Sequence, residues 1–250
     1  MGLSAVIVGL GLLAGLSIGA VGIGGVILVP CLVYFAGVPV HAAISAATMS
    51  FVLTGLAGTL LYARAKSIRW NMAAWLSAGA APGALAGAFA AHSASATLLE
   101  IAIGLLTALS GLHRLFSTER SSGLSAKRIS NATLSLLGAF TGLISALTGT
   151  GGPLVLVPLL LWFECPVLTA VGLSQVIQLP ISLLATAENY YNGNLFPSLG
   201  GMLALGVPIG SWAGAKIAHG MPKAALGRLI SILLVSVGAL IFSNVAARLF

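Results

Sequence analysis

The amino-acid sequence predicts an all-α polytopic membrane protein of two inverted-topology repeats, with about eight spanning helices plus or including short glycine-broken half-helices (5+5 segments). Three observations carry this. Only 6% of the 250 residues are charged and 58% are hydrophobic, whereas soluble domains carry about 25% charged residues. Apolar runs follow one another along the whole chain, and the longest solvated stretch is the short Ser117 to Ser130. The second half then repeats the first, in the lengths of its segments and in their residues.

The first half reads as apolar runs at Leu3 to Val21, Val26 to Ala36, Ala42 to Tyr62, Met72 to Ala91 and Thr97 to Leu115. The second reads as Ala132 to Leu147, Leu154 to Phe163, Leu168 to Ala187, Leu199 to Ala218 and Ala224 to Val245. The expected organisation is a first repeat over 1–116, a basic cytoplasmic linker over 117–130 and a second repeat over 131–250, together one transport domain. About 20 apolar residues are needed per span, so a chain of this length holds at most about ten segments and no hidden soluble domain. The start, Met1 to Val21, lacks the basic region of a secretory signal and reads as a retained first helix.

Gly22, Gly24, Gly25, Gly83, Gly87, His92 and Gly111 recur 127 residues later as Gly149, Gly151, Gly152, Gly210, Gly214, His219 and Gly238. Pro30 and Tyr62 match Pro158 and Tyr190 at an offset of 128, as if one residue were inserted after the second glycine motif. The second run of each half, 11 and 10 residues long, would be only ~16 Å as helix, about half a hydrocarbon core.

Whether those short runs turn the chain back sets the topology, and the distribution of Lys and Arg arbitrates. If each glycine-broken run crosses once, eight basic residues lie on one side and three on the other, Lys216, Lys223 and Arg228. If each break reverses the chain, ten share one side and only Arg248 lies opposite. The second split is the better one. Equivalent loops also carry opposite signals: Arg64 to Arg69 is basic where Asn192 to Pro197 is uncharged. That antisymmetry is expected of inverted repeats. It predicts both termini outside, the central loop inside, and one repeat rocking against the other.

Eleven basic against four acidic residues would suggest nucleic acid in a soluble protein. Here they mark loops, and nucleic acid is not an expected partner. The expected partners are a small anionic substrate, the lipid bilayer, a coupling ion (proton or sodium) and, in an oligomer, copies of the same chain. Cys31 and Cys165 show no CxxC or zinc spacing and read as free thiols. No cofactor and no metal are expected, and no hydrolase or P-loop motif is present. The chain reads as no enzyme, with transport driven by a gradient.

The candidate substrate-binding residues start from the two glycine motifs: Gly22, Gly24 and Gly25, then Gly149, Thr150, Gly151, Gly152 and Pro153. Glycine permits the dihedrals of a helix break, and Pro153 suits the first turn of a new helix. A helix N-terminus inside the membrane offers free N–H groups and a positive dipole end to an anion, worth about 0.3 to 2 kcal/mol each. The competing reading, glycine as a packing residue, is favoured for Gly83, Gly87, Gly210 and Gly214, which lie in uninterrupted runs.

Thr48, Ser50, Ser174, Gln175 and Gln178 are polar residues within apolar runs, and the two glutamines share a helix face. Either substrate or a neighbouring helix would satisfy them. Glu188 and Glu100 are the candidates for proton coupling. His41, His92, His113 and His219 fall at segment ends, and Cys31 reads as a small packing residue.

With these residues in view, GIGGVILVPCL (Gly22 to Leu32) and GTGGPLVLVPLL (Gly149 to Leu160) resemble the duplicated glycine-rich motif of the sulfite exporter TauE/SafE family. Ala170 to Ser174, AVGLS, is similar to that family's AVGTS stretch, and each half ends with a GxxxG segment. The resemblance covers nearly the whole chain. It departs at Val26, where a third consecutive glycine would stand, and at Ala42 to Ala46, which reads AAISA. It implies a multi-pass protein of the prokaryotic cell (inner) membrane that moves sulfite, sulfoacetate, other organosulfonates or related sulfur anions. The function expected is a secondary transporter working by alternating access around a midplane site at the two glycine-broken helices. Its alternatives are a passive anion channel, which counterflow would distinguish, and a non-transporting membrane scaffold subunit.

Overall fold

The computed structural model describes residues 2–21, 24–93, 129–222 and, between and beyond these, 95, 97–98, 101, 104–105, 108–109, 112, 225, 228, 232, 235–236, 238–239, 242–243 and 246–247. Among the described residues the elements are all helices: α1 Gly2–Val21, α2 Gly24–Tyr34, α3 Val40–Arg64, α4 Trp70–Ser93, α5 Asn131–Thr148, α6 Pro153–Trp162, α7 Val167–Tyr191 and α8 Pro197–Gly220. Four are long and apolar enough to cross a membrane: Val40–Arg64, Trp70–Ala91, Asn131–Thr148 and Val167–Tyr191. Shorter apolar helices run over Ala5–Ala20 and Pro153–Trp162. The protein is a polytopic helical membrane protein.

Local chemistry sets the helix ends. Ser130 caps α5 by accepting the Thr133 N–H at 3.1 Å, and α3 and α7 each start after a proline, Pro39 and Pro166. Proline stands at the first turn of α6 and α8, where its missing N–H costs nothing. The turns are paired as well. Gly37 (φ 66°) corresponds to Glu164 (φ 59°), and Lys66 (φ 54°) to Gly193 (φ 68°), each pair 127 residues apart. One member of each pair is glycine; the other holds a charged residue in the left-handed region.

The offset is 127 throughout the long helices, since α3 and α7 begin and end in step. The counterpart of Tyr62 is therefore Asn189, and the match of Tyr62 to Tyr190 is corrected. Tyr62 is fully buried while Tyr190 is 68% exposed. The shift that pairs Pro30 with Pro158 is confined to the short helices, because Pro39 and Pro166 are again 127 apart.

Helix directions follow from the contacts. Gly206, Gly210 and Gly214 of α8 lie against Val8, Leu12 and Leu16 of α1 in rising order, so these helices are parallel. Their counterparts Gly79, Gly83 and Gly87 of α4 lie against Ser135, Ala139 and Leu143 of α5 in the same way. At each position a side chain would strike a backbone carbonyl, which is the packing role expected of Gly83, Gly87, Gly210 and Gly214.

Met49 meets Gly200 and Tyr62 meets His219, so α3 is parallel to α8 and hence to α1. Between two parallel helices, α2 must carry the chain back. Helices α3 and α7 are counterparts yet run antiparallel, Gly58 meeting Gln175 and Gly55 meeting Gln178. The glycine breaks thus reverse the chain, and the straight crossing with eight spans is excluded by the packing.

The halves do not pack as separate bodies. Helix α1 pairs with α8, and α4 with α5, so each half lends its fourth helix to the other. One apolar core joins α1, α2, α3 and α8. The other joins α4, α5, α6 and α7. Where they interlock, Leu154 enters the first core, and Tyr62, Ile68 and Ala215 enter the second. The principal helix pair between the bodies is α3 with α7. Outside both, Gly238 lies against Ala108.

Candidate functional site

At the second break α5 ends on Gly149 (φ 66°), and the Gly149 and Thr150 N–H groups both donate to the Ser145 carbonyl. Gly151 (φ 80°) and Gly152 (φ 98°) complete the reversal. Three left-handed glycines within four residues accomplish what side chains would hinder. Helix α6 then starts with Pro153, and the Gly152 carbonyl accepts from Val155 and Leu156. Among the described residues, the N–H groups of Gly151, Gly152 and Leu154 have no backbone acceptor. All three residues are buried.

Gly152 faces Ile177 and Ile181 of its own body, but the rest of the break is surrounded by the other body. Gly149 abuts Ile44, Gly151 faces the Phe51 ring and Thr150 touches Gly25 at the start of α2. The Gln178 side-chain amide donates to the Phe51 carbonyl at 3.2 Å. Phe51 and Gln178 are counterparts, so the pseudo-twofold axis passes between them. Gln175 donates to the Ile18 carbonyl at 3.4 Å and fits a notch left by Gly58. Tyr62 donates to the Gly19 carbonyl at 3.1 Å, which helps to close the end of α1.

The remaining expected residues divide. Thr48, Ser50 and Ser174 are buried, but their hydroxyls donate to carbonyls of their own helices at 2.8, 2.8 and 2.7 Å. Thr150 and Thr148 share a hydroxyl hydrogen bond of 3.0 Å. Glu188 sits at the end of α7, where Asn192 donates to its carboxylate at 2.7 Å, away from the breaks. Gly22 and Glu100 lie outside the described residues. Gly24 opens α2.

Sequence reasoning passed over Ser45 and Ser145. Both hydroxyls are buried and unpartnered; Ser145 is the residue whose carbonyl closes the break, and Ser45 follows Ile44, which touches it. Spacing could have found Ser145, four residues before Gly149. Ser45 comes close only through the antiparallel packing of the halves.

Apart from the Tyr62 phenol, the buried polar side chains among the described residues are serines, threonines and glutamines, all neutral. On the basic side of the fold, burial pushes the Cys165 thiol up to about 11 while nearby Arg69 pulls it down. The connection after α6 therefore lies beside the basic 65–69 loop, as the reversed topology requires.

These features define a polytopic helical membrane protein with two inverted helix breaks facing each other. The model of the family described as sulfite exporter TauE/SafE matches residues 7–241, and the chain belongs to that family. Two Bacillus subtilis (strain 168) relatives are similar to it. The probable membrane transporter protein YunE is 24% identical over 244 residues, covering 85% of this chain and 86% of its own. The probable membrane transporter protein YdhB is 24% identical over 220 residues, covering 86% and 90%. No solved structure matches.

Proposed function

We propose that the chain is a secondary membrane transporter of small sulfur-containing oxyanions, among them sulfite and organosulfonates, bound where the two glycine breaks meet. One observation carries this reading: the contacts of Gly25, Gly149, Gly151, Gln175 and Gln178 all cross from one helix body to the other. A ligand held there touches both bodies, so their relative motion exposes it to one side and then the other.

Gly151, Gly152 and Leu154 supply N–H donors at the positive end of α6, and Thr150, Ser45 and Ser145 supply hydroxyls. Gln175 and Gln178 hold the seam between α3 and α7 and release it as the bodies part. Gly24, Thr48, Ser50 and Ser174 complete the lining. The moving units are the exchanged bodies, with the connections at 65–69 and 192–196 as hinges. Glu188 or Glu100 carries a coupling proton. Both termini lie outside and the central loop lies in the cytoplasm, in agreement with the ten-to-one charge split.

Counterflow of labelled sulfite in proteoliposomes tests the reading. A carrier accumulates label transiently against its gradient when loaded with unlabelled sulfite, and a channel does not. Gly152→Leu, at φ 98° with Ile181 only 3.2 Å from a new Cβ, should abolish binding in folded protein. Unchanged sulfite affinity in that variant would remove the site.

A further inference from the structure

The charge of the lining limits what this site can accept. Every Lys and Arg among the described residues is exposed: Arg64, Lys66, Arg69, Lys216 and Arg228. The buried polar groups are all neutral, and Ser145 (0% exposed) and Ser45 (1%) keep unpartnered hydroxyls beside the break. Attraction between neutral dipoles and an anion grows in proportion to its charge. The loss of hydration grows with the square of that charge, about fourfold for two charges. Neutral donors that balance one charge therefore fall short for two.

We infer that the seam accepts tetrahedral oxyanions with one negative charge and rejects those with two. Sulfite passes as hydrogensulfite and simple sulfonates pass as they stand. Sulfate, and sulfoacetate with its carboxyl ionised, are excluded. This rests on the anion-carrier reading above and narrows it to a charge class.

Methyl sulfate and methyl phosphate separate the two claims, because they share shape but not titration. Methyl sulfate keeps one charge at pH 5 and pH 8, whereas methyl phosphate gains its second near a pKa of about 6. Binding to purified protein by thermal shift, and counterflow in liposomes, are measured for each at both values. Methyl sulfate also controls for the protein's own titratable groups on helices around the breaks: His41 and Tyr62 on α3, Cys31 on α2, His92 on α4, Glu188 on α7 and His219 on α8.

The expected result is equal binding of methyl sulfate at both pH values. Methyl phosphate should match it at pH 5 and bind at least ~10-fold more weakly at pH 8. Methyl phosphate bound as well at pH 8, with methyl sulfate unchanged, overturns the charge rule and leaves the anion site standing. Methyl sulfate silent at both pH values overturns the anion site, and the charge rule with it.

Discussion

Gly151→Ala perturbs the seam at the point where geometry is least forgiving. A Cβ there would lie 2.8 Å from Cδ2 of the Phe51 ring, against about 3.5 to 4.0 Å for an ordinary carbon contact. The two bodies must yield by about 1 Å. Overpacking of this kind costs about 1 to 3 kcal/mol. The φ of 80° adds about 1 to 2 kcal/mol for any residue with a Cβ. At about 2 to 4 °C per kcal/mol for a chain of this size, Tm should fall by roughly 4 to 20 °C. Moving the N–H donors off the anion forfeits about 1.5 to 3 kcal/mol, a loss of about 10- to 100-fold in affinity.

Thermal unfolding with increasing methyl sulfate reads both effects. Gly55→Ala is the control, because its nearest neighbour, at 3.3 Å, is the flexible Leu179 side chain; it should keep affinity and most stability. Adding Phe51→Leu to Gly151→Ala should restore part of the Tm, leaving the dihedral cost. Wild-type stability and affinity in Gly151→Ala would refute the reasoning.

Gly83→Ala and Gly210→Ala are counterpart substitutions that each strike a carbonyl, of Ala139 and of Leu12. Both should lower stability by similar amounts, about 1 to 3 kcal/mol, read as matching drops in Tm, and unequal losses would argue against the duplicated interface. Lys66→Gly and Glu164→Gly should each raise Tm by a few degrees, because a left-handed residue with a Cβ costs about 1 kcal/mol or more; a fall would show that the side chain contributes more than its conformation costs. In a chain with Cys31 and Cys165 replaced, single cysteines at the counterparts Ser67 and Asn194 should react with an impermeant thiol reagent from opposite faces, Ser67→Cys from the inside and Asn194→Cys from the outside. Labelling from one face would contradict the proposed orientation.

Much of the fold was legible because membrane helices announce themselves. The apolar runs gave the segments to within a few residues, for instance Ala42 to Tyr62 against Val40–Arg64. The counterpart glycines gave the repeat, and the placement of Arg64, Lys66 and Arg69 gave the reversal at each break. The exchange of α4 and α8 between the bodies was hidden, because spacing along the chain does not say which glycine faces which carbonyl. Gly83 needed the backbone of Ala139, from the other half, before its role was visible. The second helix break, where the site is proposed, was legible in Gly149, Gly151, Gly152 and Pro153 because glycine dihedrals and a proline at the first turn are what make a helix end and restart. Thr48, Ser50 and Ser174 looked alike in sequence, yet a hydroxyl in a helix can donate to its own backbone, and these do. Tyr62 was misaligned by one residue because two tyrosines outweighed the unbroken register of α3 and α7.

The central claim is that the carrier works at a seam between exchanged bodies, and two crosslinks test it. Gly55→Cys with Leu179→Cys joins α3 to α7 across the seam, while Gly11→Cys with Val207→Cys joins α1 to α8 within one body, although across the sequence halves. A Cβ at either glycine would lie 3.3 Å from the partner side chain, within reach of a disulfide. The measurement is sulfite counterflow before and after oxidation, with the reduced form as reference. The account predicts that the first crosslink stops exchange reversibly and the second leaves it running. Loss of exchange only when α1 is locked to α8 would mean that the sequence halves themselves are the moving parts, and would contradict it.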